Sequence, residues 1–179
     1  MAETILSSER RYEGRILSLR LDTVRLSNGQ AMVREVIEHN AAVAIVPVDA
    51  AGDVYLVRQH RVGSNGPLVE IPAGMVEDGE DPAECAAREL QEEIGYAAEQ
   101  LELLGVFYLA PGYSTELMYL YLARDLRESK LEQDFDEAIE VEKMPLSAAI
   151  GRLAAGGEPT DMKTIAGLLL ARGRLGVRG

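Results

Sequence analysis

The pattern of apolar and polar positions predicts a series of short strands. Two alternating, β-branched segments at residues 20–26 and 30–38 flank Asn28-Gly29, and Asn-Gly between two such segments is the strongest short-range signal for a β-hairpin. The continuous apolar segment 41–48 is short enough to be a buried strand. The remaining predicted strands cover residues 54–59, 68–72, 101–109, 117–123 and 139–144.

The clearest predicted helix spans residues 81–94. Starting from Ala83, apolar or small residues recur at i, i+3, i+4, i+7 and i+11, which places them on one face of a helix. Asp81 is a favourable N-cap, Pro82 suits the first helical position, and Gly95 is expected to end the helix. Two more helices are predicted over residues 147–155 and 161–172.

Strands mixed with a few helices, without strict alternation, indicate an α/β or α+β domain built in layers. The length of 179 residues suits one domain of about 100–200 residues with a small appendage. We therefore predict a small N-terminal antiparallel β unit over residues 1–39 and a main domain over residues 40–179.

The net charge of −12, from 30 acidic and 18 basic residues, argues against a general nucleic-acid binder, which needs a basic surface. The acids are concentrated in two segments. Residues 70–93 hold nine acids and one base, and residues 128–142 hold seven acids and one base. A solvated surface is the ordinary interpretation of such a segment. The alternative is a site for cations, which would let an acidic protein bind a small anionic substrate.

The single cysteine, Cys85, cannot form an internal disulfide, and no cluster of cysteine and histidine offers a zinc site. The sequence contains no apolar stretch of about 18 residues, and no long apolar segment stands near its start. We therefore expect a cytoplasmic protein with no membrane partner.

Three carboxylates of the predicted helix share one face. Glu89, Glu92 and Glu93 stand at i, i+3 and i+4, opposite the apolar stripe. Like charges at this spacing repel each other, and the second half of a helix disfavours anions. A bound divalent cation reverses both effects. Because the ligands are all oxygens, Mg²⁺ or Mn²⁺ is expected before Zn²⁺.

Residues 74–96 resemble the Nudix box, G-x5-E-x7-R-E-U-x-E-E-x-G-U, in which U is an aliphatic residue. Every fixed position is filled at the correct spacing, from Gly74 and Glu80 to the segment 88–95. The one departure is Tyr96, at a packing position where an aliphatic residue is usual. The resemblance implies an α/β/α sandwich with a mixed sheet, and hydrolysis of a nucleoside diphosphate linked to another moiety.

The resemblance also implies roles for individual residues. Arg88 would orient the glutamates as a hydrogen-bond partner, and Glu80 would support the loop or the metal shell. The implied reaction is attack of a metal-activated water on a phosphorus atom, with metal ions offsetting the charge that develops. The implied metal ligands are Glu89, Glu92, Glu93 and the Ala73 carbonyl, with Glu80 beside them.

The chain outside the box resembles the ADP-ribose pyrophosphatase subgroup. Pro111 lies 15 residues beyond Tyr96, and the segments 34–39, 57–61 and 70–74 fit the wider pattern of that subgroup. This resemblance implies hydrolysis of ADP-ribose to AMP and ribose 5-phosphate. It also implies a homodimer in which the N-terminal β unit crosses to the partner and helps to build the adenine pocket.

Candidate substrate contacts lie on both sides of the box. Arginines that flank predicted strands suit bidentate phosphate binding, and each is also explained as a surface residue on a strand edge. In the loop around Pro111, glycine and serine offer donors or serve only as turn residues, and a glutamate offers an acceptor for ribose hydroxyls. The candidates are Arg34, Arg58, Arg61, Gly112, Ser114 and Glu116.

The second acidic segment is predicted to be a loop before the strand at 139–144. The subgroup resemblance implies that a glutamate of this loop acts as general base for the attacking water. Glu137 is the first candidate because it lies nearest that strand, and Glu132 is the second. The alternative is a loop that is only solvated. The candidate catalytic residues are Glu93, Glu89, Arg88 and Glu137.

The leading hypothesis is a Mg²⁺-dependent diphosphohydrolase that acts on ADP-ribose or a similar ADP-sugar. The box does not specify the substrate, so another nucleoside diphosphate derivative such as GDP-mannose is the main alternative. A Nudix-like ligand sensor without turnover and a small acidic interaction module are alternatives from other classes. The intact set of Glu89, Glu92 and Glu93 argues against a sensor, which has no need of a metal-activated water.

Overall fold

The computed structural model describes residues 3–132 and 138–177. It is a mixed α+β structure, as the strand and helix pattern predicts. The described residues form two compact units. The first contains the chain up to Ala41 together with Phe107–Met118, and the second contains Ala42–Val106 together with the chain from Tyr119 onward.

The first unit contains a three-stranded antiparallel sheet in the order β1-β2-β3. The predicted hairpin is confirmed between β2 and β3, and Gly29 has the positive φ of 85° that an Asn-Gly turn requires. Strand β1 was not predicted, because its exposed and mostly polar residues carry no alternation toward a core. The three strands are β1 (Thr4–Glu13), β2 (Leu17–Arg25) and β3 (Ala31–His39).

A loop of the first unit lies along β3. The Ile37 N–H donates to the Tyr113 carbonyl at 2.7 Å, and the Thr115 N–H donates to the Ile37 carbonyl at 2.9 Å. The loop is closed on itself by the Tyr113 N–H, which donates to the Ala110 carbonyl at 3.1 Å. These backbone bonds fix the loop that contains Pro111 against the edge of the sheet.

The predicted strands and helices of the second unit are all present, several of them longer than the sequence pattern indicates, and a strand over residues 73–75 was not predicted. The elements are β4 (Ala42–Pro47), β5 (Asp53–Arg61), β6 (Gly66–Glu70), β7 (Ala73–Met75), α1 (Pro82–Glu89), β8 (Tyr96–Tyr108), β9 (Leu117–Glu128), β10 (Ile139–Pro145), α2 (Leu146–Ala154) and α3 (Met162–Leu175). No helix in the described part of the chain combines the length and apolarity needed to cross a membrane.

Two sheets carry the core of the second unit. One has the strand order β7-β4-β9-β8 and the other has the order β10-β5-β6. All six residues of β4 are buried, which confirms the buried strand expected from its continuous apolar sequence. Helices α1 and α3 both pack against β4 and bury apolar side chains such as Leu168. This burial supplies the main stabilisation of the unit.

The helix that carries the acidic face begins as predicted but changes its form before it ends. The Asp81 carboxylate accepts from the Ala83 N–H at 2.8 Å, and Pro82 stands in the first turn. The α-helix ends at Glu89, and a π-helical turn continues over Leu90–Ile94. Gly95 closes this turn with φ 77°, its N–H donating to the carbonyl five residues earlier. The single regular helix predicted over 81–94 is therefore wrong in its last turn.

Gly167 lies where α3 packs against buried apolar side chains. A Cβ at this position would stand 2.8 Å from Ile71 Cδ1 and 3.1 Å from Val46 Cγ2. Gly167→Ala is therefore expected to lower the free energy of unfolding by about 1–3 kcal/mol through overpacking. Gly173→Ala in the same helix meets no atom within 4 Å and is expected to raise it by up to about 1 kcal/mol. Urea denaturation of both variants measures the difference, and equal effects would contradict it.

Candidate active site

The three carboxylates of the acidic face lie at the junction of α1 and the π-helical turn. Glu89 is the last residue of α1, and Glu92 and Glu93 belong to the wider turn. Glu89 is 8% exposed and Glu93 is 2% exposed, so both carboxylates are buried. Burial of charged groups is unfavourable unless they are paired, which indicates that these side chains have a specific partner or ligand.

The Arg88 guanidinium holds this acidic face together. Its Nη1 donates to Glu89 Oε1 at 2.7 Å and to Glu92 Oε2 at 2.8 Å, and its Nε donates to Glu80 Oε1 at 3.0 Å. The hydrogen bonds to Glu80 raise the pKa of Arg88 above its ordinary value, and the charge of Glu89 adds to the effect. The same contact lowers the pKa of Glu80. These are the contacts that an orienting role for Arg88 requires.

Glu80 supports the loop that precedes α1. Its Oε2 accepts from the Glu77 N–H at 2.9 Å, and the Glu80 N–H donates to the Glu77 carbonyl at 3.0 Å. Gly79 makes the turn between these contacts with φ 84°. Together with its two bonds to Arg88, this geometry favours loop support over direct metal binding among the two roles expected for Glu80.

Strand β7 lies directly against the buried carboxylates. The Ala73 N–H donates to Glu93 Oε2 at 3.2 Å, while Ala73 pairs with Ala44 in the sheet. An ideal Cβ on Gly74 would stand only 1.9 Å from Glu89 Oε1. Gly74 is thus required because a side chain there would occupy the space that the Glu89 carboxylate fills.

The donor set fits a hard divalent cation. The candidate ligands are carboxylate and carbonyl oxygens, and such oxygens are the preferred ligands of Mg²⁺. Arg88 Nη1 already places a positive charge between Glu89 and Glu92. Among the residues that the structure describes, no three acidic, histidine or cysteine side chains are gathered into a formed metal site. The fit to a cation therefore depends on the oxygen ligands and on the space beside Gly74 that the Glu89 carboxylate fills.

Arg61, a predicted substrate contact, forms an ion pair with Glu70. Its Nε and Nη2 donate to Glu70 Oε2 at 3.0 and 2.7 Å. Burial alone would lower the pKa of Arg61, but Glu70 and the charges of Glu93 and Asp161 raise it above its ordinary value. The contacts of Arg61 are thus with Glu70, and its part in substrate binding stays a prediction.

Arg58 is engaged in a network of ion pairs instead. Its Nη2 lies 2.7 Å from Glu142 Oε1 and 2.5 Å from Glu158 Oε1. Arg152 bridges the same two carboxylates, with Nη1 2.6 Å from Glu142 Oε2. The network connects β5, β10, α2 and the segment before α3. A role for Arg58 in substrate binding stays a prediction.

The remaining predicted substrate contacts belong to the first unit. Arg34 stands on β3, and its Nη2 lies 2.5 Å from Glu3 Oε1. The Ser114 hydroxyl accepts from the Glu116 N–H at 3.2 Å, in the loop that also contains Gly112. The loop brings its three predicted residues together, and their contact with substrate stays a prediction.

The candidate general bases belong to the second acidic segment. Glu137 lies outside the described residues, whereas Glu132 is described and exposed. The segment just before Glu132 is fixed to the π-helical turn: the Ser129 N–H donates to the Gly95 carbonyl at 2.9 Å, and the Leu131 N–H donates to the Gln91 carbonyl at 3.2 Å.

Sequence reasoning assigned no individual role to Glu70 or Lys163, although the segment 70–74 is part of the subgroup pattern. Glu70 is 1% exposed at the end of β6, and Lys163 Nζ lies 3.4 Å from its Oε2. A signal for Glu70 was present, because a carboxylate interrupts the apolar residues 68–72 of a predicted strand. Nothing in the pattern pointed to Lys163, whose partner is distant in sequence.

Family models match almost the whole chain. Residues 30–167 match the model of the NUDIX domain. Residues 3–37 match a model described as the nucleoside diphosphate sugar hydrolase N-terminal domain. The two matches overlap over residues 30–37.

Individual relatives span most of the chain. It is 38% identical over 166 residues to the ADP-ribose pyrophosphatase of Bacillus subtilis (strain 168), covering 92% of this chain and 89% of that protein. It is 41% identical over 170 residues to the ADP-ribose pyrophosphatase of Mycobacterium tuberculosis (strain ATCC 25618 / H37Rv), covering 93% and 81%. A crystal structure described as that of an ADP compounds hydrolase is similar over 100% of this chain and 97% of its own, with a TM-score of 0.89 and 30% identity. With its box, its fold and these relatives in agreement, the chain belongs to the Nudix family.

Proposed function

We propose that this protein is a hydrolase that cleaves the diphosphate bond of ADP-ribose or a similar ADP-sugar, giving AMP and ribose 5-phosphate in a Mg²⁺-dependent reaction. The main structural support is the arrangement of Glu89 and Glu92 around Arg88, with the buried Glu93 held by the Ala73 N–H. The substrate class is supported by the relatives, which are named for ADP-ribose and for ADP compounds.

The proposed metal site consists of Glu89, Glu92, Glu93 and the Ala73 carbonyl. Glu80 belongs to the site through Arg88, since both of its carboxylate oxygens accept from that guanidinium. The chemistry that Mg²⁺ supplies when bound is polarisation of the diphosphate and activation of water, and Mn²⁺ has the same ligand preference. Within the chain, the hydrogen bonds of Arg88 hold the carboxylates of Glu89 and Glu92 in position.

Each remaining residue has a proposed part in the reaction. Arg61 binds a phosphate of the substrate, with its guanidinium held from behind by Glu70. The water oxygen forms a new bond to phosphorus as the bond from phosphorus to the bridging oxygen breaks. The proton of the water passes to a general base, for which we propose Glu137, with Glu132 as the second candidate. Arg58 is the other candidate phosphate contact in this unit, and it would bind substrate while it remains paired with Glu142 and Glu158.

We further propose a homodimer, with residues 1–39 as the dimer-forming unit and 40–179 as the catalytic domain. All ten residues of β1 are exposed, among them Ile5 and Tyr12, and exposed apolar side chains on a sheet are suited to association. Arg34, Gly112, Ser114 and Glu116 would then bind the nucleoside part of the substrate. We propose a cytoplasmic location, because proteins of oxidising compartments commonly contain disulfides and this sequence has one cysteine.

The substrate proposal is tested with a panel of compounds. ADP-ribose, GDP-mannose, NADH and nucleoside triphosphates are incubated with the protein and Mg²⁺, and the products are separated by chromatography. ADP-ribose is expected to have the highest kcat/KM and to give AMP and ribose 5-phosphate in equal amounts. Preferential cleavage of GDP-mannose would replace the substrate assignment. No turnover with either Mg²⁺ or Mn²⁺ would contradict the enzyme proposal and favour a ligand sensor.

A further inference from the structure

Glu70 is a buried carboxylate placed between two cations. It is 1% exposed, and a buried charge needs partners. Its Oε2 accepts from Arg61 Nε at 3.0 Å and from Nη2 at 2.7 Å, and lies 3.4 Å from Lys163 Nζ. A single carboxylate oxygen thereby joins an arginine of β5 to a lysine of α3.

Lys163 stands where a helix does not favour it. It is in the first turn of α3, next to the positive end of the helix dipole. Its side chain is only 12% exposed and also forms an ion pair with Asp161, the N-cap of the helix. The position of Lys163 is therefore explained by its ion pairs with the two carboxylates and not by a favourable interaction with the helix dipole.

The contact between α3 and β6 is fixed on both sides of this ion pair. The Thr160 hydroxyl donates to the Val69 carbonyl at 2.6 Å, and the Ile71 N–H donates to the Thr164 hydroxyl at 3.1 Å. Thr164 is completely buried. Since these bonds flank the ion pair in both segments, the lysine and the carboxylate are held at a defined separation.

Glu70 is also close along the chain to the candidate active site. The Arg61 side chain is 38% exposed, so Glu70 and its neighbours do not enclose it completely. The negative charge of Glu93 acts on it. The segment that follows Glu70 leads to Ala73, whose N–H binds Glu93. Glu70 and Glu93 are thus linked through this short segment.

We propose that Lys163 is a positioning residue for Arg61. Lys163 shares the charge of Glu70, so Glu70 orients the Arg61 guanidinium without neutralising it, and Arg61 keeps its attraction for the substrate diphosphate. Without Lys163, Arg61 would be left to balance a buried carboxylate, and its charge would be less available to a phosphate. The inference rests on the proposed function, since it assumes that Arg61 binds the diphosphate.

The test measures KM and kcat for ADP-ribose with Mg²⁺ in Lys163→Met. We expect KM to rise about tenfold and kcat to change less than about twofold, the pattern for loss of binding that is equal in ground and transition states. Lys163→Arg, which retains the cation, is expected to restore KM. Lys143→Met is the matched control: this lysine pairs with Asp49 at 2.7 Å and has no contact with Glu70, so KM is expected to stay unchanged.

A double-mutant cycle with Arg61→Met separates positioning from a merely structural role. If Lys163 acts through Arg61, Lys163→Met raises KM less than about twofold in the Arg61→Met background. Equal effects in both backgrounds would overturn the proposal, and so would an unchanged KM in Lys163→Met alone. If Lys163→Met does not fold, Lys163→Gln takes its place in the same cycle, with the same expected and contrary results.

The failure of the proposed function gives a different result. In that case the wild-type protein does not hydrolyse ADP-ribose, whatever the variants do. Calorimetric titration with inorganic pyrophosphate then tests the positioning role without turnover. A loss of pyrophosphate affinity in Lys163→Met that disappears in the Arg61→Met background supports the inference, and equal affinities of wild type and Lys163→Met overturn it.

Discussion

Replacing Glu93 by Gln is expected to lower kcat by about 10²–10³-fold, the size of effect seen when one preorganised electrostatic group is removed. Glu93 is 2% exposed, and its Oε2 accepts from the Ala73 N–H. Glutamine has the same shape and retains an oxygen for that hydrogen bond, but it has no negative charge for a divalent cation. Steady-state kinetics with ADP-ribose and Mg²⁺ measures the loss.

Two further measurements make the Glu93 result specific. Glu84→Gln removes one negative charge from an exposed position of the same helix and is expected to leave kcat and KM unchanged. Calorimetric titration with Mn²⁺ should show weaker binding to Glu93→Gln than to wild type or to Glu84→Gln. Full activity of Glu93→Gln would refute the assignment of Glu93 as a metal ligand.

Gly74→Ala is the second change expected to have a large effect. The added Cβ would stand 1.9 Å from Glu89 Oε1 and 2.0 Å from its Cδ, so the carboxylate must move. A displacement of about 1 Å in catalytic geometry lowers activity about 10²-fold, and we expect a loss of that size in kcat/KM. The moving group is the end of a side chain, so the Tm should fall far less than it does for backbone overlap.

Gly151→Ala is the control for Gly74→Ala. Gly151→Ala in α2 meets no atom within 4 Å and is expected to leave kcat/KM unchanged while stabilising the helix by up to about 1 kcal/mol. In the double variant Gly74→Ala, Glu89→Asp, the shorter side chain at position 89 relieves the overlap between the added Cβ and the carboxylate. Wild-type activity of Gly74→Ala would show that the position of Glu89 does not matter to the reaction.

Local signals in the sequence were sufficient for most of the secondary structure. The turn at Asn28-Gly29, the buried strand β4 and the N-cap Asp81 each depend on a few adjacent residues, and the structure has all three. The box also predicted the contact of Arg88 with Glu92, because residues four apart on a helix are neighbours.

Contacts between distant parts of the chain were not predictable in the same way. Glu70 and Lys163 are separated by more than ninety positions along the chain. Strand β1 is held by backbone pairing with β2, which no pattern of side chains reports. The π-helical turn Leu90–Ile94 was missed because helical periodicity assumes a constant number of residues per turn.

The hydrogen bonds of Arg88 bear on whether folding of the chain depends on a bound metal ion. In small metal-dependent folds, the ion itself supplies folding energy, and chelators unfold the chain. Here a guanidinium of the chain compensates Glu80, Glu89 and Glu92, and the core of β4 is built independently of them. With these charges compensated within the chain, we expect folding not to depend on a divalent ion, so that the proposed metal requirement concerns activity and not structure.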